Sequence, residues 1–93
     1  MVKFIAWDQA KNEALKEKRG VSFEDAMEAA VSGGLLDIFD HPSKKYAHQK
    51  LYIIEMNEYA YMVPCVEDKE KIFLKTIIPS RKYTRLYIEK GDI

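Results

Sequence analysis

The segment SRKYTRLY, residues 80–87, places cationic, hydroxyl and aromatic side chains directly after an apolar run. Arginine and lysine bind phosphate oxygens, and the planar arginine fork can hold two of them. Arg81 and Arg85 are four residues apart and so share one face of a helix, with Lys82 and Tyr83 beside it. Since tyrosine rings stack on unpaired bases, the segment predicts an edge that binds RNA. The alternative is a C-terminal helix that is basic because cations are well solvated and favour that helix end.

His48 and Lys50 form a second group whose residue types suit chemistry on a phosphate. They are two residues apart at the start of a predicted strand, so we expect both on the same side of the sheet. A histidine with a pKa near neutral can serve as general acid or base beside phosphate-binding cations. A loop histidine without a role is the alternative. His41 and Cys65 have no zinc-ligand spacing with His48, so no metal or other cofactor is expected, and Cys65 is interpreted as a small buried hydrophobe.

Charge is segregated along the chain, although its 15 basic and 15 acidic residues give a net charge of zero. The net charge is +3 over residues 41–50 and +4 over 71–93, against −3 over 1–40 and −4 over 51–70. If the fold brings the two basic segments together, they form a cationic face that can hold phosphates.

Two helices are predicted in the first third of the chain. FIAW, residues 4–7, reads as a short strand, and Asp8 and Gly20 delimit a helix over residues 9–19. Ser22 caps the next helix, which ends at Gly33 and Gly34. Its apolar residues follow the i, i+3, i+4, i+7, i+8 spacing of one helix face: Phe23, Ala26, Met27, Ala30 and Val31.

Period-two patterns predict the rest of the fold. Strands are expected over residues 35–40, 49–56, 59–66 and 71–78, and a closing helix over 81–89 capped by Ser80. Short connections favour antiparallel pairing, and Pro64 predicts a bulge or an edge position. The expected class is α+β: two N-terminal helices, an antiparallel sheet of about four strands and a C-terminal helix, with the helices on one face.

Length and hydropathy restrict the class of protein. The 93 residues fit one domain spanning residues 1–93, with a modest core. No apolar run reaches the roughly 18 residues of a membrane span, and the N-terminus has no signal-peptide pattern, so a cytoplasmic protein is expected.

Three segments resemble the BrnT family, the toxins of bacterial type II toxin–antitoxin pairs. They are WDQAK at 7–11, KRGVSFEDA at 18–26 and LKTIIPSRKYT at 74–84, and the likeness spans nearly the whole chain. The resemblance implies a compact fold like that of the RelE-type ribonuclease toxins, an RNA-cleaving activity that stops translation, and a dimeric ribbon-helix-helix antitoxin. A complex with two copies of each chain is the expected assembly, in which an acidic antitoxin segment covers the basic surface.

By position, the resemblance also assigns residues. Lys18 and Arg19 occupy the family's basic pair before the glycine, and Lys50 falls where the family usually has an arginine on the second sheet strand. Arg81 and Lys82 fall in its terminal arginine motif. The chain departs from the family at Leu15, Arg19 and Tyr83, where asparagine, histidine and alanine are common.

Cleaving RNA without a metal requires activation of the ribose 2′-OH, stabilisation of the added negative charge and protonation of the leaving 5′-oxygen. Candidates for charge stabilisation are Arg81, Lys50 and Arg85. Candidates for proton transfer are His48, Glu24 and Tyr83. Two alternatives stay open: a non-catalytic module whose basic edge binds nucleic acid or an acidic protein, and a degenerate toxin that binds its antitoxin without cleaving RNA.

Overall fold

The computed structural model describes residues 3–89, which fold as α+β, as predicted. Residues 3–89 contain three α-helices: α1 (Gln9–Arg19), α2 (Phe23–Ala29) and α3 (Arg81–Tyr83). Wider helical turns continue α2 over Ala30–Gly34 and α3 over Thr84–Ile88, and a short 3-10 turn spans Lys44–Tyr46. The strands are β1 (Phe4–Trp7), β2 (Leu35–Asp40), β3 (Gln49–Met56), β4 (Tyr59–Glu67), β5 (Lys71–Leu74) and β6 (Ile78–Pro79).

The helix ends confirm the predicted caps. The Asp8 side chain accepts a hydrogen bond from the Lys11 N–H at 3.0 Å, and Gly20 ends α1 in the left-handed region at φ 68°. Ser22 begins α2 and forms a reciprocal capping box with Asp25. These caps fix the sharp turn between α1 and α2, which sets the positions of the side chains discussed below.

The sheet is mixed rather than antiparallel throughout. Its order is β1-β5-β4-β3-β2, β6 also pairs with β4, and β1 runs parallel to β5 while the other pairs are antiparallel. Parallel pairing is possible because more than sixty residues of chain, including both N-terminal helices, separate β1 from β5. The prediction of one continuous strand over residues 71–78 is also wrong, because the strand is interrupted between Leu74 and Ile78.

Pro64 lies inside β4 with no bulge in its pairing to β3, contrary to the prediction. Its carbonyl oxygen accepts a hydrogen bond from the Lys75 N–H at 2.8 Å, just after β5 ends. The main-chain nitrogen and carbonyl of a strand residue point toward the same neighbouring strand. The Pro64 nitrogen, which carries no hydrogen, therefore also points toward the interruption between β5 and β6. Proline is tolerated there because its position requires no ladder hydrogen bond to β3.

The helices occupy both faces of the sheet, which corrects the prediction of a single helical face. The helices α1 and α2 pack with Ile54, Val63 and Leu74 in the main core. The helix that begins at Arg81 lies on the other face of the sheet, where Tyr83 contacts Phe39. Phe39 points to that face because successive side chains of β2 point alternately to the core face and to the opposite face. Among residues 3–89, no helix is long and apolar enough to cross a membrane.

Candidate functional site

A shallow groove of about 120 Å³ lies between α1 and the chain that leaves β5. Lys11 and Lys18 reach it from one face of α1, because residues seven apart are two helical turns apart. Arg19 and the half-buried Thr76 complete its polar lining. Three cations and a hydroxyl therefore surround one depression, which is suited to an anion.

The interruption of the sheet helps to build this groove. Ile77 lies between β5 and β6, and its carbonyl oxygen accepts a hydrogen bond from the Arg19 guanidinium. A buried carbonyl without a partner would cost free energy, so the contact fixes both the end of α1 and the interrupted strand. Arg19 has five N–H donors and uses one of them here. Arg19 therefore has a structural role, and its RNA-binding role stays a prediction.

Lys75 follows β5 at the strand interruption but is not among the residues that line the groove. Its main-chain N–H bonds to Pro64, and its ammonium lies 5.5 Å from the centre of the Phe73 ring. The side chain is exposed and next to Thr76 in sequence. The name cationic rim is used for the three groove cations Lys11, Lys18 and Arg19 together.

The C-terminal helix presents its predicted cations to solvent. Ser80 accepts a hydrogen bond from the Tyr83 N–H at 3.1 Å and so caps the helix as predicted. Arg81, Lys82 and Arg85 are exposed. The helix is held by Thr84, whose hydroxyl accepts from the Ala60 N–H at 2.8 Å and donates to the Ser80 carbonyl at 2.7 Å.

Tyr83 packs within the fold instead of standing free as a stacking platform. Its ring centre lies 5.7 Å from that of Phe39 and 6.1 Å from that of Tyr87, and the Lys82 ammonium lies 5.4 Å from the Tyr83 ring centre. The Tyr87 hydroxyl donates to Asp37 at 2.5 Å, which raises the pKa of Tyr87. These aromatic contacts attach the helix to β2.

The predicted RNA-binding cations form no ion pair within 4 Å in the described part of the chain. Ion pairs among residues 3–89 join Lys3 to Glu67 and Lys16 to Glu13. The cationic rim and the helix cations take no part in either pair. Their positive charge is therefore uncompensated, which favours phosphate binding over a network of surface ion pairs.

The four predicted catalytic residues are not gathered at one point. The position of Arg81 on the sheet follows from its neighbour Ser80, whose N–H donates to the Ala60 carbonyl oxygen. Ala60 lies opposite Glu55 of β3. Lys50 lies five residues earlier in β3, about 16 Å away at the usual rise per strand residue. His48 is exposed in the turn before β3, so it accompanies Lys50 at the end of the sheet remote from Arg81.

Glu24 lies on α2 and is already engaged. Asn12 donates a side-chain hydrogen bond to it at 2.8 Å, and this bond lowers the pKa of Glu24. A carboxylate that is ionised at neutral pH accepts protons and hydrogen bonds but is a poor general acid. Burial raises the pKa of Cys65 to about 12, and the residue is buried as predicted.

Three residues that build or line the site were not among the candidates predicted from the sequence. Buried Asn12 joins the two helices, because its oxygen also accepts from the Phe23 N–H at 2.8 Å. Lys11 and Thr76 line the cationic groove. The seven-residue spacing of Lys11 and Lys18 was a usable signal for a shared helix face, whereas the approach of Thr76 depends on pairing between distant segments.

Comparison of the chain with protein-family models, with curated proteins and with solved structures found no match.

Proposed function

We propose that the chain is a BrnT-like toxin of a type II toxin–antitoxin pair, which cleaves RNA without a metal and so inhibits translation. The observation that carries the proposal is the cationic rim, whose residues line or border one groove and form no ion pair in the described part of the chain. RNA offers the phosphates that such a surface binds, and single-stranded RNA leaves its bases free for further contacts.

The three segments that resemble the BrnT family also contact one another, which supports reading them as one unit. Trp7 of the first segment stacks on Phe23 of the second, with ring centres 5.6 Å apart. Arg19 of the second segment donates to the Ile77 carbonyl of the third. The second and third segments thus meet at the cationic groove, while the first packs on the second in the core.

In the proposed reaction the ribose 2′-OH loses its proton and attacks the adjacent phosphorus, the P–O5′ bond breaks, the 5′-oxygen takes up a proton from water, and a 2′,3′-cyclic phosphate forms. Arg81 and Lys18 would stabilise the negative charge that builds up on the phosphate oxygens. Glu24 lies on the other side of α1 from Lys18, so water rather than Glu24 takes up the 2′-OH proton in this proposal. Each of these roles is a separate proposal, and the Arg81 role is tested below.

A non-catalytic RNA-binding protein, or a degenerate toxin, is the second candidate. It is favoured by the separation of about 16 Å along the sheet between Lys50 and the strand position next to Arg81. His48 lies near Lys50 and is equally remote from Arg81. The hydrogen bond that Glu24 accepts from Asn12 also favours this candidate, because it occupies a carboxylate predicted to be catalytic. This candidate predicts RNA binding that leaves every phosphodiester bond intact.

The proposed partner is a ribbon-helix-helix antitoxin, in a complex with two copies of each chain, and the proposed compartment is the cytoplasm. The test is induction of the chain alone in bacteria and, where the adjacent gene encodes a ribbon-helix-helix protein, induction of the two together. We expect growth arrest with fragmented RNA in the first case and recovery in the second. Normal growth with intact RNA, despite soluble protein, would contradict the toxin function.

A further inference from the structure

A second groove, of about 440 Å³, follows the outer face of α2. Its helical residues are Glu24, Met27, Glu28 and Val31, whose i, i+3, i+4, i+7 spacing places them on one side of the helix. Trp7 closes the groove from the end of β1. Val31 is 83% exposed, so most of its apolar side chain is available for contact with another molecule.

The apolar surface of this groove continues toward the edge of the sheet. Met27 also lines a small apolar cavity of about 70 Å³, which reaches Ile5 on β1. Ile5 is 37% exposed, and β1 is the last strand on its side of the sheet. Met27 therefore lies between the groove that contains Val31 and the cavity that contains Ile5.

The rim of the groove is acidic. Glu24 and Glu28 are both exposed, and the hydrogen bond described for Glu24 comes from the neutral amide of Asn12. Lys16 lies near enough to lower the pKa of Glu24, but its ammonium pairs with Glu13 at 3.3 Å. Glu28 also borders a depression that contains Asp25 and Glu55, so negative charge extends beyond the groove.

We propose that this groove binds a protein segment that inserts apolar side chains over Met27 and Val31 and carries lysine or arginine opposite Glu24 and Glu28. An apolar floor between two carboxylates complements an amphipathic cationic helix, which docks through residues on one of its faces. The acidic rim repels RNA phosphates, so the occupant is a protein. The inference goes beyond the proposed RNA cleavage and does not depend on it.

The α1 helix separates this site from the cationic groove. Asn12 of α1 contacts Glu24 on one side, while Lys11 and Lys18 face the groove that contains Thr76 on the other. A protein bound along α2 therefore leaves the cationic groove open. Regulation from this side would act without covering the phosphate-binding surface.

The test uses the purified full chain and a fluorescent synthetic helix of about 18 residues, with leucines at i, i+3, i+4 and i+7 flanked by lysines. Binding is followed by anisotropy at several salt concentrations. We expect Val31→Ser to weaken binding about tenfold without changing the salt dependence, since the variant buries less apolar surface against the peptide. Glu28→Lys should weaken it by roughly tenfold and flatten the salt dependence, since attraction becomes repulsion.

Two matched variants act as controls. Leu86→Ser removes an apolar side chain that is 53% exposed on the C-terminal helix, and Glu17→Lys makes the same charge change on α1 outside the groove. Both should keep the affinity within about twofold. Absence of peptide binding, equal binding of a peptide with serine in place of leucine, or equal effects of Glu17→Lys and Glu28→Lys would each overturn the proposal.

Discussion

The Arg19 guanidinium donates a hydrogen bond to the main-chain carbonyl of Ile77, a residue 58 positions later in the chain. This contact joins the end of α1 to the interruption between β5 and β6. It brings the lysines of α1 beside Thr76, and so a helix and a broken strand together make a groove that neither provides alone.

Charge reversal in this groove should weaken RNA binding. We expect Lys11→Glu combined with Lys18→Glu to lower affinity for a single-stranded RNA and to reduce the slope of log K against log salt by about 0.7 for each phosphate that the variant no longer neutralises. Anisotropy titrations at several salt concentrations measure both quantities. Lys44→Glu combined with Lys45→Glu, in the exposed loop before β3, is the matched control. Equal reductions in the two double variants would mean that total charge, rather than the groove, governs binding.

Arg81→Ala should remove RNA cleavage while leaving the fold nearly unchanged. The side chain is exposed and takes part in neither ion pair described for residues 3–89, so its removal should change the free energy of unfolding by no more than about 0.5 kcal/mol. Removal of a donor to the reacting phosphate raises the barrier by roughly 3 kcal/mol. Cleavage rates and thermal melts of Arg81→Ala and Arg81→Lys separate the two effects. A melting temperature several degrees lower in Arg81→Ala would identify a structural residue.

Thr84→Val should destabilise the fold. The Thr84 hydroxyl is buried and bonds to both the Ala60 N–H and the Ser80 carbonyl, and valine would leave that N–H without a partner. An unsatisfied buried donor costs about 1–3 kcal/mol. Urea unfolding of Thr84→Val, compared with Thr84→Ser, which keeps the hydroxyl, measures this cost. Equal stabilities for the two variants would show that the hydroxyl does not anchor the helix.

Local signals in the sequence predicted the elements of this fold well. Asp8, Gly20 and Ser22 act within three or four residues of themselves, so the ends of α1 and α2 follow from the side chains at those positions. Alternating apolar residues likewise located β3 and β4 within one residue. Such features need no knowledge of the rest of the chain.

Pairing between distant segments could not be predicted in the same way. The parallel position of β1 and the interruption after Leu74 depend on which strand lies next to which. The cationic groove could not be predicted for the same reason, because Thr76 reaches α1 only where the strand is interrupted. Tyr83 was assigned to RNA for its residue type, but its contact with Phe39 follows from the face on which the last helix lies.

The most direct test of the proposed function is incubation of the purified chain with a defined single-stranded RNA in the presence of a metal chelator, followed by analysis of the RNA ends. We expect cleavage that leaves 2′,3′-cyclic phosphates and new 5′-hydroxyls, because the proposed reaction uses the neighbouring ribose oxygen and no metal. Arg81→Ala prepared in the same way is the control for contaminating nuclease. RNA that binds the chain but stays uncut would contradict the enzyme and favour a non-catalytic RNA-binding protein.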